Sequence, residues 1–158
     1  MGSEMCIRDR YGYDGKEAEH YADEMGIFLQ KVNILRDIQS DLASGRVYLP
    51  TSELQSFGIS TSDLSSPSLA SNPNWQEFMK DYIQKCNAHK EEAVKLLPMI
   101  HSESRKSPTI MLSVYSQLIK QAEKLCGDVV SQRLSLTVMQ KANVLMSTLG
   151  VISIVQED

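Results

Sequence analysis

Aromatic residues make up only 6% of the 158-residue chain. No apolar run approaches the roughly 18 to 20 residues needed to cross a bilayer. The longest stretch, residues 149–155, is interrupted by Gly150 and Ser153. The opening MGSEMCIRDR is charged and lacks an apolar core, so it does not read as a signal peptide. Three cysteines, Cys6, Cys86 and Cys126, show no CxxC spacing and cannot all pair, which points to a reducing compartment rather than a disulfide scaffold. Eight glycines and five prolines are too few for a collagen-like or linker-dominated chain. Positive charge is short too: 16 Lys and Arg stand against 20 Asp and Glu, a net charge of -4, which argues against a nucleic-acid binder. No glycine-rich phosphate loop and no nicotinamide-binding motif is present.

What the sequence does have is helical periodicity. Across residues 16–43 apolar side chains recur at three- and four-residue steps, through Ile27, Leu29, Val32, Ile34, Leu35, Ile38 and Leu42. Gly45 supplies a stop and Pro50 blocks resumption. Residues 51–74 are rich in Ser and Thr and carry Pro67 and Pro73, so they read as a surface loop with at most one helical turn near Glu53. Helix is predicted again over 75–97, ended by Pro98, and from an N-cap at Ser107 with Pro108 in the first turn to about 126. A last helix is predicted over 129–149, with Leu134, Val138, Ala142 and Leu145 on one face. Residues 150–155 fit frayed helix or a short strand. The fold class is therefore all-α, with about five helices.

The long first helix carries a polar column. Asn33, Asp37 and Asp41 follow one another by one turn, about 6 Å per step, with Gln30 nearby and Arg36 beside them. Asp37 and Asp41 are like charges at i and i+4, and no Lys or Arg lies three or four residues away to offset either. A charge from outside the helix is expected, and Mg²⁺ fits, because it takes oxygen ligands from one or two carboxylates plus phosphates. A plain solvated helix face is the alternative, since Glu19 and Asp23 form the same kind of pair. Elsewhere, Trp75 and Phe78 are expected to pack the start of their helix, and Met111, Met139 and Met146 to fill core. Residues 85–95 alternate in charge and read as a solvated face. Cys86 and His89 are too few to make a zinc site. Arg46 and Tyr48 are read as fixing the helix exit.

Residues 26–41, GIFLQKVNILRDIQSD, followed by GRVYLP at 45–50, closely resemble the G-x-x-x-Q-x-x-N-I-x-R-D-x-x-x-D…G-R-x-Y-L-P signature of the squalene/phytoene synthase family. Residues 107–135 are also similar to that family's C-terminal region, with Tyr115 on a helix and an Arg-x-Ser-like element at Arg133 and Ser135. The resemblance covers about 22–142. It implies an isoprenoid-synthase helical fold in which two aspartate-rich motifs hold Mg²⁺ and two prenyl diphosphates condense head to head through a cyclopropyl diphosphate. By that resemblance Asn33, Asp37 and Asp41 are metal ligands. Gln30, Arg36 and Tyr115 contact the substrate or its diphosphate. Ionising an allylic diphosphate needs its leaving charge neutralised, and an apolar cavity shields the carbocation from water.

Members of that family are about twice as long, and nothing here supplies their first aspartate-rich motif. The expected organisation is a non-native or disordered tail over 1–15 and the C-terminal portion of a synthase domain over 16–158. Such a portion is expected to be inactive alone and to leave apolar helix faces uncovered. A phytoene-type activity fits better than a squalene-type one. The expected setting is cytoplasmic with peripheral membrane contact for an apolar product; the expected partner is a prenyl diphosphate and not a nucleic acid. The alternative is a non-catalytic assembly module in the same helical shell.

Overall fold

The computed structural model describes residues 16–125 and 128–148. Five α-helices follow in chain order: α1 (Lys16–Ala43), α2 (Thr51–Ser56), α3 (Pro73–Val94), α4 (Lys106–Lys124) and α5 (Val138–Thr148). Single 3₁₀ turns lie at Asp63–Ser65, Leu69–Ser71 and Leu97–Met99, and there is no strand among the described residues. The all-α expectation therefore holds. The segment over 1–15 and the expected tail over 150–155 lie outside the described residues.

α1 buries Ala18, Ala22, Met25, Phe28, Val32, Leu35 and Ile38, a stripe stepping by three and four that is one face of a helix. Ile27 falls off this stripe and is exposed. The stripe packs chiefly on α3, and α4 rests against both helices. α3 contributes Trp75, Phe78, Met79, Tyr82, Ile83 and Cys86 to the core, as expected for Trp75 and Phe78. Phe78 lies at the centre of an aromatic cluster, with ring centroids 5.6 Å from Trp75, 5.7 Å from Phe57 and 5.9 Å from Tyr82. Each fully buried side chain of this size is worth about 1.5–3 kcal/mol of transfer free energy. Two polar ties lock α1 to α3. Glu24 Oε2 lies 2.6 Å from His89 Nδ1, and the Tyr82 hydroxyl donates to the Lys31 carbonyl at 3.4 Å. The Lys31 ammonium also stands 4.5 Å over the Tyr82 ring.

Glycine ends both α1 and α2. Gly45 has φ +70°, its N–H donates to the Leu42 carbonyl, and the Arg46 N–H reaches back to Asp41. Gly58 repeats the arrangement at φ +71°, with its N–H on Gln55 and the Ile59 N–H on Leu54. These are paired Schellman bonds, which need the left-handed conformation that glycine adopts without a Cβ penalty. At the second, buried Ile59 and Leu54 add the apolar contact that accompanies the motif.

Two segments depart from the sequence reading. Residues 51–72 are not merely a surface loop: they form α2 and two 3₁₀ turns, and Leu54, Ile59, Leu64 and Leu69 are all buried. Residues 128–137 are turn and irregular chain rather than helix. Leu134 and Leu136 are buried there around exposed Ser135, and Ser135 N–H donates to the Gln121 side chain at 3.0 Å. The expected face Leu134–Val138–Ala142–Leu145 is thus not the packing face. Val138 is 83% exposed, and α5 buries Val144 instead. Met111, Met139 and Met146 are exposed rather than core. The charged stretch over 85–95 is solvated only in part, since Cys86 and Ala93 are fully buried.

Candidate functional site

The buried stripe fixes the opposite side of α1 toward α4 and the 128–137 segment. Asn33, Arg36, Asp37 and Asp41 are all half-buried there, neither in the core nor free in solvent. Tyr115, on α4, donates its hydroxyl to Asn33 Oδ1 at 2.9 Å. That bond holds the carboxamide in one orientation and leaves the oxygen a second lone pair. Gln30, one turn before Asn33 on the same helix, is exposed.

The acids are not uncompensated. Arg36 grips the carboxylate of its chain neighbour Asp37 with both fork positions, Nε to Oδ1 at 3.0 Å and Nη2 to Oδ2 at 2.6 Å. Asp41 pairs with Arg46 at 3.5 Å. Consecutive helix residues do not ordinarily face each other, and Arg46 lies beyond the helix end, so a search at three- and four-residue spacing finds neither partner. The Arg36 bond holds the Asp37 carboxyl below its ordinary range; burial opposes this, and the charges of Arg36 and Arg133 add to it. Reciprocally, the bond from Asp37 raises Arg36 above its ordinary value, with a further contribution from Tyr115.

Arg133 is the residue that sequence reasoning left outside the site. Its segment is pinned on two sides, by the Gln39 amide donating to the Val130 carbonyl at 2.5 Å and by the Ser135–Gln121 bond. Read as helix, residues 129–149 gave no reason to bring Arg133 to Asp37. The signal available was the Arg-x-Ser element itself.

Concavities are unequal around this cluster. The hollow beside Asp41, bordered by Ile34, Ile38, Arg46 and Tyr48, holds about 10 Å³, room for about one water. A groove of about 500 Å³ lies elsewhere, along α3 and the end of α4, lined by Gln76, Lys80, Ile83, Asn87 and Glu123. No cluster of three or more His, Cys, Asp or Glu side chains able to hold a metal is present among the described residues. The donor chemistry of the column nevertheless suits a hard cation: two carboxylates and an amide oxygen, one turn apart, beside two guanidinium groups.

The chain is 32% identical over 126 residues to the phytoene synthase of Arthrospira platensis, covering 80% of this chain and 39% of that protein. It is 34% identical over 99 residues to the chloroplastic phytoene synthase of an Oncidium hybrid cultivar, covering 63% of this chain and 24% of that protein. The chain therefore spans less than half the length of these curated relatives. A crystal structure of a dehydrosqualene synthase in complex with ligand shares the fold, with a TM-score of 0.70 at 20% identity over 84% of this chain and 46% of that one. A sequence profile of squalene/phytoene synthases matches residues 4–140. With a match over most of its length, the chain belongs to the squalene/phytoene synthase family.

Proposed function

We propose that the chain carries the second aspartate-bearing half of a Mg²⁺-dependent prenyltransferase that condenses two prenyl diphosphates head to head. A phytoene-type reaction is favoured, in line with the phytoene synthases among its relatives. The observation that carries this reading is the convergence of Asn33, Arg36 and Asp37 from α1 with Tyr115 from α4 on one half-buried patch. Asn33, Asp37 and Asp41 would hold the cation, which when bound neutralises charge on the departing diphosphate. Arg36 and Arg133 bind diphosphate oxygens, a geometry suited to the guanidinium fork. Tyr115 reaches the diphosphate from α4 and keeps the Asn33 oxygen turned into the site. Gln30 contributes at the outer edge of the same face.

The chain on its own is proposed to be inactive. Asp37 and Asp41 form the sole Asp-x-x-x-Asp pair of the sequence, so the first aspartate-rich motif that the resemblance calls for has no counterpart here. Its setting is proposed to be cytoplasmic, with peripheral membrane contact for the apolar product.

The ion pairs Asp37–Arg36 and Asp41–Arg46 favour a second reading, a non-catalytic assembly module, because the acids are already balanced within the chain. Thermal denaturation separates the two. A rise in melting temperature with Mg²⁺ and pyrophosphate that disappears in Asp37→Ala supports the synthase site; at a hundredfold ligand excess over Kd the rise corresponds to about 2.7 kcal/mol. No shift in the parent chain supports the module. Turnover of geranylgeranyl or farnesyl diphosphate by this chain alone would overturn the proposed inactivity.

A further inference from the structure

We propose that Arg36 is an internal stand-in for the cation at Asp37, a latch that makes the metal and the diphosphate bind as a pair. The inference rests on reading the column as a Mg²⁺–diphosphate site, and it concerns how that site is kept when empty of both. Consecutive residues in a helix point about 100° apart, yet Arg36 closes a two-bond fork on Asp37 at 3.0 and 2.6 Å. Both side chains are about one-third exposed, at 34% and 30%, so solutes reach them.

The fork satisfies two ligand-binding groups with each other. While it is closed, a cation approaching Asp37 must displace a guanidinium, and an anion approaching Arg36 finds its donors already engaged. A divalent cation on the carboxylate repels the guanidinium and frees its donors for phosphate oxygens. An anion drawing Arg36 away frees the carboxylate for the metal. Each ligand thereby builds the other's site, and the coupling must be equal in both directions. Two nearby groups lack the fork while carrying the same charges. Arg133 acts on Asp37 through space, without a hydrogen bond to it. Asp41 pairs with Arg46 rather than Arg36. Arg36→Lys, which keeps the charge in place, separates a latch from simple charge.

Isothermal titration of the whole chain tests this with Mg²⁺ alone, with pyrophosphate alone in EDTA, and with both. Arg36→Gln is expected to tighten Mg²⁺ alone about five-fold more than Arg133→Gln does, the factor that opening a partly exposed ion pair represents. Asp37→Asn is expected to tighten pyrophosphate alone about five-fold more than Asp41→Asn. Arg36→Lys, which keeps the charge without the fork, should fall between the parent and Arg36→Gln for Mg²⁺. Circular dichroism establishes that each variant keeps its helices. If Arg36→Lys binds Mg²⁺ within about two-fold of the parent, charge alone accounts for the site and the latch is wrong. If the parent chain binds no Mg²⁺–pyrophosphate pair at all, the site reading itself fails and takes the latch with it.

Discussion

Tyr115 and Asn33 meet across the α1–α4 interface through one 2.9 Å hydrogen bond, with the phenol as donor and the carboxamide oxygen as acceptor. The bond joins helices that are 82 residues apart at this point of the chain, and it orients a side chain of the proposed cation site. Tyr115→Phe removes the donor and little volume. It is expected to cost about 1 kcal/mol and to lower the melting temperature by about 3 °C. A scanning-calorimetry comparison of the two proteins measures this, and an unchanged transition would show that the bond holds nothing.

Phe78 touches Trp75, Phe57 and Tyr82 and is fully buried. Phe78→Ala leaves a void that α1 and α3 can only partly close, at a cost of about 3–5 kcal/mol. Urea titration should show a lower midpoint with a preserved slope. Phe78→Leu fills most of the space and should recover much of the loss.

The two helix-ending glycines offer a matched pair. A Cβ at Gly45 meets nothing within 4 Å, so Gly45→Ala carries only the left-handed backbone penalty, roughly 1–2 kcal/mol. At Gly58 the same Cβ would lie 3.3 Å from Asn74 Nδ2, which must also give way. Gly58→Ala should therefore be the more damaging of the two in parallel urea unfolding curves.

Much of this architecture could be read from the sequence, and the misses share a cause. α1 and α3 are long and bury a stripe of three- and four-residue steps, so periodicity reveals them. Over 51–72 the buried residues Leu54, Ile59, Leu64 and Leu69 fall every five positions, a spacing that matches neither helix nor strand. That segment is organised by local bonds instead, such as Ser60 N–H and hydroxyl on the Asp63 carboxylate and the paired hydroxyls of Ser66 and Ser68. Residues 134, 138 and 145 mimic a helical face, yet Leu134 and Leu136 bury on alternate positions of an irregular segment. In the site, residue types were legible and their partners were not. Asp37 turned to its own neighbour and Asp41 to a residue past the helix end.

Cys86 is fully buried, and burial pushes its thiol up to about 12, with the Lys31 charge acting weakly the other way. At pH 8 its thiolate fraction falls about three orders of magnitude below that of a free cysteine. In a Cys6→Ser/Cys126→Ser background, iodoacetamide labelling should be negligible in native buffer and rapid in denaturant. Rapid native labelling would mean that α1 and α3 separate readily.

Asp63 accepts the Ser60 N–H at 2.7 Å and the Ser60 hydroxyl at 2.6 Å, and these bonds hold its carboxyl below the ordinary range. A depressed folded value contributes stability that is present above about pH 4 and is lost as the pH falls through the folded value. Melting temperatures between pH 7 and pH 3 should therefore fall less steeply in Asp63→Asn than in the parent. Parallel curves would remove Asp63 from the acid response.

Arg46 holds Asp41 twice, its amide on the main-chain carbonyl and its guanidinium on the carboxylate. Fraying of the last turn therefore cannot occur without releasing the final acid of the column. Deuterium uptake at that single amide becomes a clock for the site: whatever ligand steadies Asp41 should slow the exchange of Arg46 before any change reaches the core.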